Sequence, residues 1–226
     1  MDRMKVRLEW NYQIPKSKKT YLLTTDFMSV QDILYMTRDI EKTGRVKQLQ
    51  YFDQMDSEWT KKELEKLLEK EAEEPQQIIA YFDGGFDKST KTAGLGVVIY
   101  YEKDGQKFRI RKNERIEEIE SNNEAEYAAL WNLLLQLEEQ EVHHTELTIK
   151  GDSLVVINQL TNEWPCYEED LERWLDRIEK KTKQLGYKVN YQSVSRKENR
   201  EADQLASQAL NEIFISSHSN LNEGES

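Results

Sequence analysis

Cysteine is nearly missing from this chain: among 226 residues there is one, Cys166. An internal disulfide framework and a Cys-rich zinc site are thereby excluded. Histidine is scarce as well, with only His143, His144 and His218. No apolar run is long enough to cross a bilayer and no apolar signal region follows Met1, so the expectation is a cytoplasmic protein with no membrane partner. An excess of positive charge is also lacking. Against 32 Lys and Arg stand 43 Asp and Glu, a formal net charge of −11. That argues against a broad basic surface for holding nucleic acid. It leaves nucleic acid open as a substrate, because carboxylates bind phosphates through divalent cations.

What is present suffices for a core. Hydrophobic residues make up 37% of the chain and charged residues 33%. At roughly 150 residues per domain, the length allows one or two domains. Residues 1–74 read as a small α+β accessory domain. Lys5 to Trp10 alternates polar and apolar, the mark of a half-buried strand, and Thr20 to Met28 returns as its hairpin partner. Ser29 with Asp32, and Thr60 with Glu63, give capping-box starts to two helices. Lys16, Lys18 and Lys19 lie in the turn, with Trp10, Tyr12 and Tyr21 near the same hairpin. Two readings stay open there: a small phosphate-and-base contact surface, or a solvated turn with core aromatics behind it. Pro75-Gln76-Gln77 marks the boundary.

Residues 75–212 read as three hairpin-type strands, then helix, strand, two helices, strand and helix: a mixed five-stranded α/β sheet flanked by helices. Residues 213–226 are expected to be a polar, disordered tail. The central stretch is Ile78-Ile79-Ala80-Tyr81-Phe82-Asp83-Gly84-Gly85-Phe86. An apolar run of this kind forms a buried central strand. A buried Asp on such a strand is costly unless it is paired or holds a cation, and glycines after it let a bulky ligand approach. Further carboxylates stand at element ends: Glu126 in the first turns of the helix beginning at Ser121, Asp152 directly after the strand Glu146 to Gly151, and Asp203 in the last helix. Taken singly, each has a structural explanation as a turn residue, a helix cap or a surface charge. Taken together they do not, because a mixed sheet brings the ends of these two strands together.

In order and spacing, Asp83-Gly84-Gly85, Ser121-Asn122-Asn123-Glu124-Ala125-Glu126-Tyr127, Asp152-Ser153 and Asn199-Arg200-Glu201-Ala202-Asp203 resemble the type 1 ribonuclease H family. The resemblance covers about Ile78 to Leu210 and leaves the first domain outside. It implies a ribonuclease H-like fold and hydrolysis of the RNA strand of RNA·DNA hybrids with two Mg²⁺ ions, for which Mn²⁺ can substitute. Asp83 would bridge both ions, Glu126 and Asp152 hold one and Asp203 the other. Hard, oxygen-seeking Mg²⁺ suits such a set, and four clustered carboxylates cannot all stay ionised without cations. Glu126 would also receive the RNA 2′-OH. Asn122, Asn123 and the Gly84 backbone would touch the minor groove of the hybrid. Glu124 has the spacing of a capping residue instead.

The chain also departs from the family pattern. Where many members carry a His before the last Asp, it has Tyr191-Gln192-Ser193-Val194-Ser195-Arg196-Lys197, and two readings of Arg196 stay open there, a phosphate-side helper or a solvated loop residue. A basic substrate-gripping handle is missing between Trp164 and Leu185, so extra contact to nucleic acid or protein falls to the first domain. Trp164 and Trp174 read as packing residues. Two alternatives to the hybrid nuclease follow: a silent ribonuclease H-like binding or adaptor protein, and a nuclease acting on another structured nucleic acid.

Overall fold

A computed structural model describes residues 4–222, and the chain forms two units, Met1–Glu73 and Glu74–Ser226. In unit 1, β1 (Lys5–Gln13) pairs antiparallel with β2 (Thr20–Thr24). Instead of one long second strand, a separate short strand, β3 (Met28–Ser29), pairs with the start of β1. The ladder breaks between them because the Leu8 N–H donates to the Thr25 hydroxyl (3.0 Å) rather than to a backbone carbonyl. Helix α1 (Val30–Lys42) starts where the Ser29 hydroxyl accepts from the Asp32 N–H (3.1 Å). Strands β4 (Val46–Asp53) and β5 (Glu58–Trp59) extend the sheet to the order β2-β1-β4-β5. Helix α2 (Lys61–Glu73) carries the reciprocal capping box: Glu63 accepts from the Thr60 N–H (2.8 Å) and Thr60 from the Glu63 N–H (3.2 Å). Val6, Leu8, Val30, Ile33, Leu34, Tyr51 and Leu64 form the core of this unit.

Unit 2 is built on a six-stranded sheet of order β10-β9-β6-β7-β8-β11. Strands β6 (Gln76–Asp87), β7 (Thr92–Lys103) and β8 (Gln106–Ile116) form an antiparallel meander. Helix α3 (Asn122–Glu139) follows, then β9 (Glu146–Gly151), α4 (Leu154–Leu160), α5 (Glu169–Leu185), β10 (Lys188–Ser193) and α6 (Arg200–Leu210). Strand β9 runs parallel to both β6 and β10. Ile78, Ala80 and Phe82 of β6 join residues of α3 and α5 in one large core. On the other face, Val98 packs with Ala202 and Leu205 of α6. Close approach of α6 depends on two glycines of β7: a Cβ at Gly94 would strike the Ala206 carbonyl, and one at Gly96 the Ala202 carbonyl. Glu201 adds a polar clamp, accepting from Tyr100 Oη (2.5 Å) and pairing with Arg109 (3.1 Å) and Arg111 (3.0 Å).

The chain after α6 corrects the expectation of a disordered tail. The five expected strands gain a sixth, β11 (Ser216–Asn220), antiparallel to β8. Backbone groups and polar side chains make this strand, so no apolar alternation announces it. Asn113 is the hinge: its Nδ2 donates to the carbonyls of Leu205 and Ile213 (2.9 Å each), and its Oδ1 accepts from the Ile215 N–H (2.6 Å). His218 Nε2 lies 2.7 Å from Tyr101 Oη, and the Asn222 side chain accepts from the Lys107 N–H (2.9 Å). The strand covers the otherwise open edge of β8. The last part of the expected tail, residues 223–226, lies outside the described residues. No helix among the described residues is long and apolar enough to cross a membrane.

Candidate metal centre

Register explains why two distant aspartates meet. Strands β6 and β9 pair in parallel through Tyr81↔Lys150. Two residues further along each chain come Asp83 and Asp152, on the same side as Tyr81 and Lys150 because side chains alternate with a period of two. Lys150 Nζ indeed sits 5.4 Å from the centre of the Tyr81 ring. Glu126 arrives from the first turns of α3. Its position depends on Gly84, where a Cβ would collide with the backbone of Ala125. With only a hydrogen there, α3 settles against β6, and Glu126 Oε2 accepts from the Gly84 N–H (3.1 Å).

Each of Asp83, Glu126 and Asp152 offers a carboxylate oxygen within 4.8 Å of the other two. Asp83 is 7% exposed, Glu126 5% exposed and Asp152 half-buried. Burial pushes the Asp83 carboxyl up to about 7, with repulsion from Asp152 and Asp203 adding to it. Burial likewise raises Glu126 to about 9, helped by the charges of Asp83 and Asp152. In each case desolvation outweighs the opposing influence of Arg196. A cation among these oxygens would remove both penalties, and an all-oxygen donor set fits a hard divalent ion.

The fourth expected ligand stands slightly apart. Asp203 lies near enough to raise the Asp83 carboxyl but is not one of the three converging groups. Its Oδ1 accepts from Arg196 Nη2 (2.7 Å) and Nε (3.2 Å). Arg196 is thus tied to the acidic cluster through Asp203, on an otherwise exposed loop. Asn122 is exposed and Asn123 half-buried, both in the opening turn of α3. Glu124 is occupied structurally: it accepts from the Glu120 N–H (2.8 Å) and from Trp174 Nε1 (3.2 Å). Trp174 packs as expected against the core of unit 2. Trp164, by contrast, is 47% exposed.

One residue of the site escaped the sequence reading. Asn199 stands at the cap position of α6 but makes no side-chain cap bond. Its side chain turns instead to the acids and is 1% exposed. Nδ2 donates to the Phe82 carbonyl (2.9 Å), and lies 3.3 Å from Asp83 Oδ1 and 3.5 Å from Asp152 Oδ1. Among the described residues, Asn199 Oδ1 has no hydrogen-bond partner. An amide that ties two carboxylates and leaves an oxygen unsatisfied is costly for folding alone. Asn199 stood at the head of the Asn199–Asp203 segment of the family resemblance, where an Asn opening a helix by itself reads as a cap.

Comparison with known proteins fits this geometry. Residues 81–209 match the family described as reverse transcriptase-like. The structure of RNase H1 from Halobacterium salinarum aligns with a TM-score of 0.53 and 29% identity, over 60% of this chain and 98% of that one. The chain belongs to the type 1 ribonuclease H-like family. The N-terminal RNase H domain of rv2228c from Mycobacterium tuberculosis, fused to maltose binding protein, aligns at 25% identity and a TM-score of 0.53, over 61% of this chain and 96% of that chain. LC11-RNase H1, solved in complex with an RNA/DNA hybrid, aligns at 26% identity and a TM-score of 0.54, over 60% of this chain and 98% of its own. Across both units, the chain is 40% identical to the uncharacterized protein YpeP of Bacillus subtilis over 218 residues, 96% of each chain. The ribonuclease H-like family and the acidic cluster together mark unit 2 as a nuclease-type domain.

An open cavity of about 440 Å³ also exists in unit 2, lined by Ile79, Glu146, Thr148, Lys188 and Asn190 among others. It lies at the starting ends of β6, β9 and β10, opposite the carboxylates, and none of them lines it.

Proposed function

We propose that this chain is a cytoplasmic endonuclease that hydrolyses the RNA strand of RNA·DNA hybrids, with two Mg²⁺ ions as cofactor and Mn²⁺ able to replace them. The observation that carries this reading is the convergence of Asp83, Glu126 and Asp152 at the ends of β6 and β9, the first two buried and none of the three ion-paired among the described residues. The chemistry supplied by bound divalent ions is activation of the attacking water and stabilisation of the leaving 3′ oxygen. Asp83, Glu126 and Asp152 would hold the ions, with Asp203 completing the set. Asn199 keeps Asp83 and Asp152 side by side. Asn122, Asn123 and the Gly84 backbone are assigned to the minor groove of the hybrid, and Glu126 to the RNA 2′-OH, which distinguishes RNA from DNA. Arg196, held beside Asp203, is assigned to the phosphate side.

The same Arg196–Asp203 pair favours a second reading. An aspartate engaged by a guanidinium at 2.7 Å is a weaker ligand than a free one, as would suit a binding protein that has lost its chemistry. One experiment separates the two. Labelled hybrid, duplex RNA, duplex DNA and a branched junction are offered to the full chain in Mg²⁺ or Mn²⁺, alongside Asp83→Asn and Asp152→Asn. Cutting confined to the hybrid, and abolished in both variants while hybrid binding survives, supports the nuclease. Binding without cutting in either metal supports the adaptor. Cleavage of the junction or of duplex RNA moves the activity to another structured nucleic acid. Equal cutting by the variants ends the assignment of these acids.

A further inference from the structure

Unit 1 has a surface feature that its fold does not need. The turn between β1 and β2 is held by Ile14 N–H to the Lys19 carbonyl (3.2 Å), Ser17 N–H to the Ile14 carbonyl (3.2 Å), Lys19 N–H to the Ser17 hydroxyl (3.1 Å) and Gln13 Nε2 to the Ser17 carbonyl (2.8 Å), and Gln13 N–H to the Arg45 carbonyl (2.7 Å) ties it to the entry of β4. Lys16 takes a left-handed conformation, with φ 59°. These constraints fix Lys16, Lys18 and Lys19 at one end of the sheet, all exposed. Arg45 joins them at the entry to β4, its Nη1 donating to Tyr12 Oη (3.1 Å). No carboxylate occurs in the sequence between Glu9 and Asp26. Among the described residues, none of the three lysine ammonium groups has an ion-pair or hydrogen-bond partner. The half-buried cations Arg7 and Lys61, by contrast, are partnered, as Arg7–Asp56 (2.6 Å) and Lys61–Glu41 (2.7 Å).

An aromatic residue stands next to this charge. Tyr12 and Tyr21 are direct cross-strand partners. Trp10 is drawn into the core of the unit, but Tyr21 is 52% exposed. Unpaired cations beside an open aromatic ring match a phosphate backbone with an accessible base. The charge of the rest of the chain points the same way. Unit 2 carries the net negative charge, which repels a polyphosphate until salt screens it. A cationic surface on the same chain offsets that repulsion by raising the local concentration of substrate.

We propose that this end of unit 1 binds single-stranded nucleic acid, with Lys16, Lys18, Lys19 and Arg45 on backbone phosphates and Tyr21 stacked on an unpaired base. The choice of polymer rests on the nuclease reading, but the binding itself needs no catalysis. The exposed Leu22 and Leu23 of edge strand β2 offer a rival occupant, a strand from a second copy, which sedimentation of the same variants would reveal.

The experiment is fluorescence anisotropy in EDTA with the full chain. Its probes are a blunt RNA·DNA hybrid and the same hybrid carrying a single-stranded extension. The triple variant Lys16→Gln, Lys18→Gln, Lys19→Gln is expected to bind the extended probe more weakly. Its slope of log affinity against log salt should be shallower by about 2, at roughly 0.7 for each single-strand phosphate that is no longer neutralised. Lys18→Glu with Lys19→Glu should weaken binding further, and Tyr21→Ala by about tenfold on the extended probe only. Thermal melts establish that each variant is folded. Unchanged affinity and salt slope in both lysine variants would overturn the proposal. So would lysine variants that lose only self-association in sedimentation, which would assign the surface to a second copy. If the wild-type chain cuts nothing while the lysine dependence persists, the nuclease reading falls and this surface stands; the converse result separates them the other way.

Discussion

Residues 1–73 hold fourteen Lys and Arg against fourteen Asp and Glu, whereas residues 74–226 hold eighteen against twenty-nine. The whole net charge of −11 therefore belongs to unit 2. Several carboxylates of unit 1 have structural tasks. Asp32 and Glu63 belong to helix caps, Glu41 and Asp56 pair with cations, and Asp53 accepts from Trp59 Nε1 (3.0 Å) and from two backbone N–H groups. Unit 2 solves the same problem at its surface, as in Lys91–Glu120 and Lys181–Glu138. At the ends of β6 and β9 it does the reverse and draws together three acids, none of which has an ion pair among the described residues. Breaking charge pairing in a buried place is expensive. A chain selected only for stability would not keep it there, and this contrast is what separates a site from a scaffold.

The contrast can be tested, beginning with its largest consequence. Asp83→Asn should lower hybrid cleavage by about a thousandfold or more, equivalent to about 4 kcal/mol of barrier, with the fold intact by circular dichroism. Next comes metal affinity. Asn199→Ala removes the amide between Asp83 and Asp152, and isothermal titration should find Mg²⁺ or Mn²⁺ bound roughly tenfold to a hundredfold more weakly. An Asn199→Ala chain with wild-type metal affinity would reduce Asn199 to a packing residue.

The pH dependence of stability gives a smaller signal that needs no substrate. Asp83 and Glu126 hold their protons more tightly in the folded, metal-free chain than in the unfolded one. Their protonation favours the fold at low pH. That contribution is lost as pH rises from the ordinary carboxylate range through about 7 for Asp83 and about 9 for Glu126. The metal-free chain should therefore melt at lower temperature as pH rises across this window, and Mg²⁺ should restore the loss. Asp83→Asn should flatten the lower half of the profile. The smallest effect lies in unit 1, where charge at the helix ends serves structure alone. Ser29→Ala removes the cap of α1 and should cost about 1 kcal/mol in urea unfolding, without any change in metal affinity.

Much of the site was legible because its residues sit in strongly patterned segments. Asp83 interrupts an apolar run just before Gly84, and the spacing of the ribonuclease H resemblance selected Glu126 while capping gave Glu124 a structural task. Asn199 was not legible. An Asn before a helix signals a cap, and only the packing of α6 on β6 turns that amide toward the acids. Strand β11 was hidden for a related reason. Its Ser, His and Asn side chains carry no hydrophobic period, and its register comes from backbone bonds to β8 and from Asn113.

Local physics in the chain sufficed for most of the elements, the caps at Ser29, Thr60 and Ser121 and the list of acids, since propensity, period and turn chemistry act between near neighbours. How those acids meet was decided elsewhere. The parallel register of β6 with β9, the bare face of Gly84 and the reach of Asn199 are distances between residues far apart in sequence. Burial raises the Asp83 and Glu126 carboxyls only once those distances are set, because desolvation belongs to the packed molecule and to no stretch of chain alone.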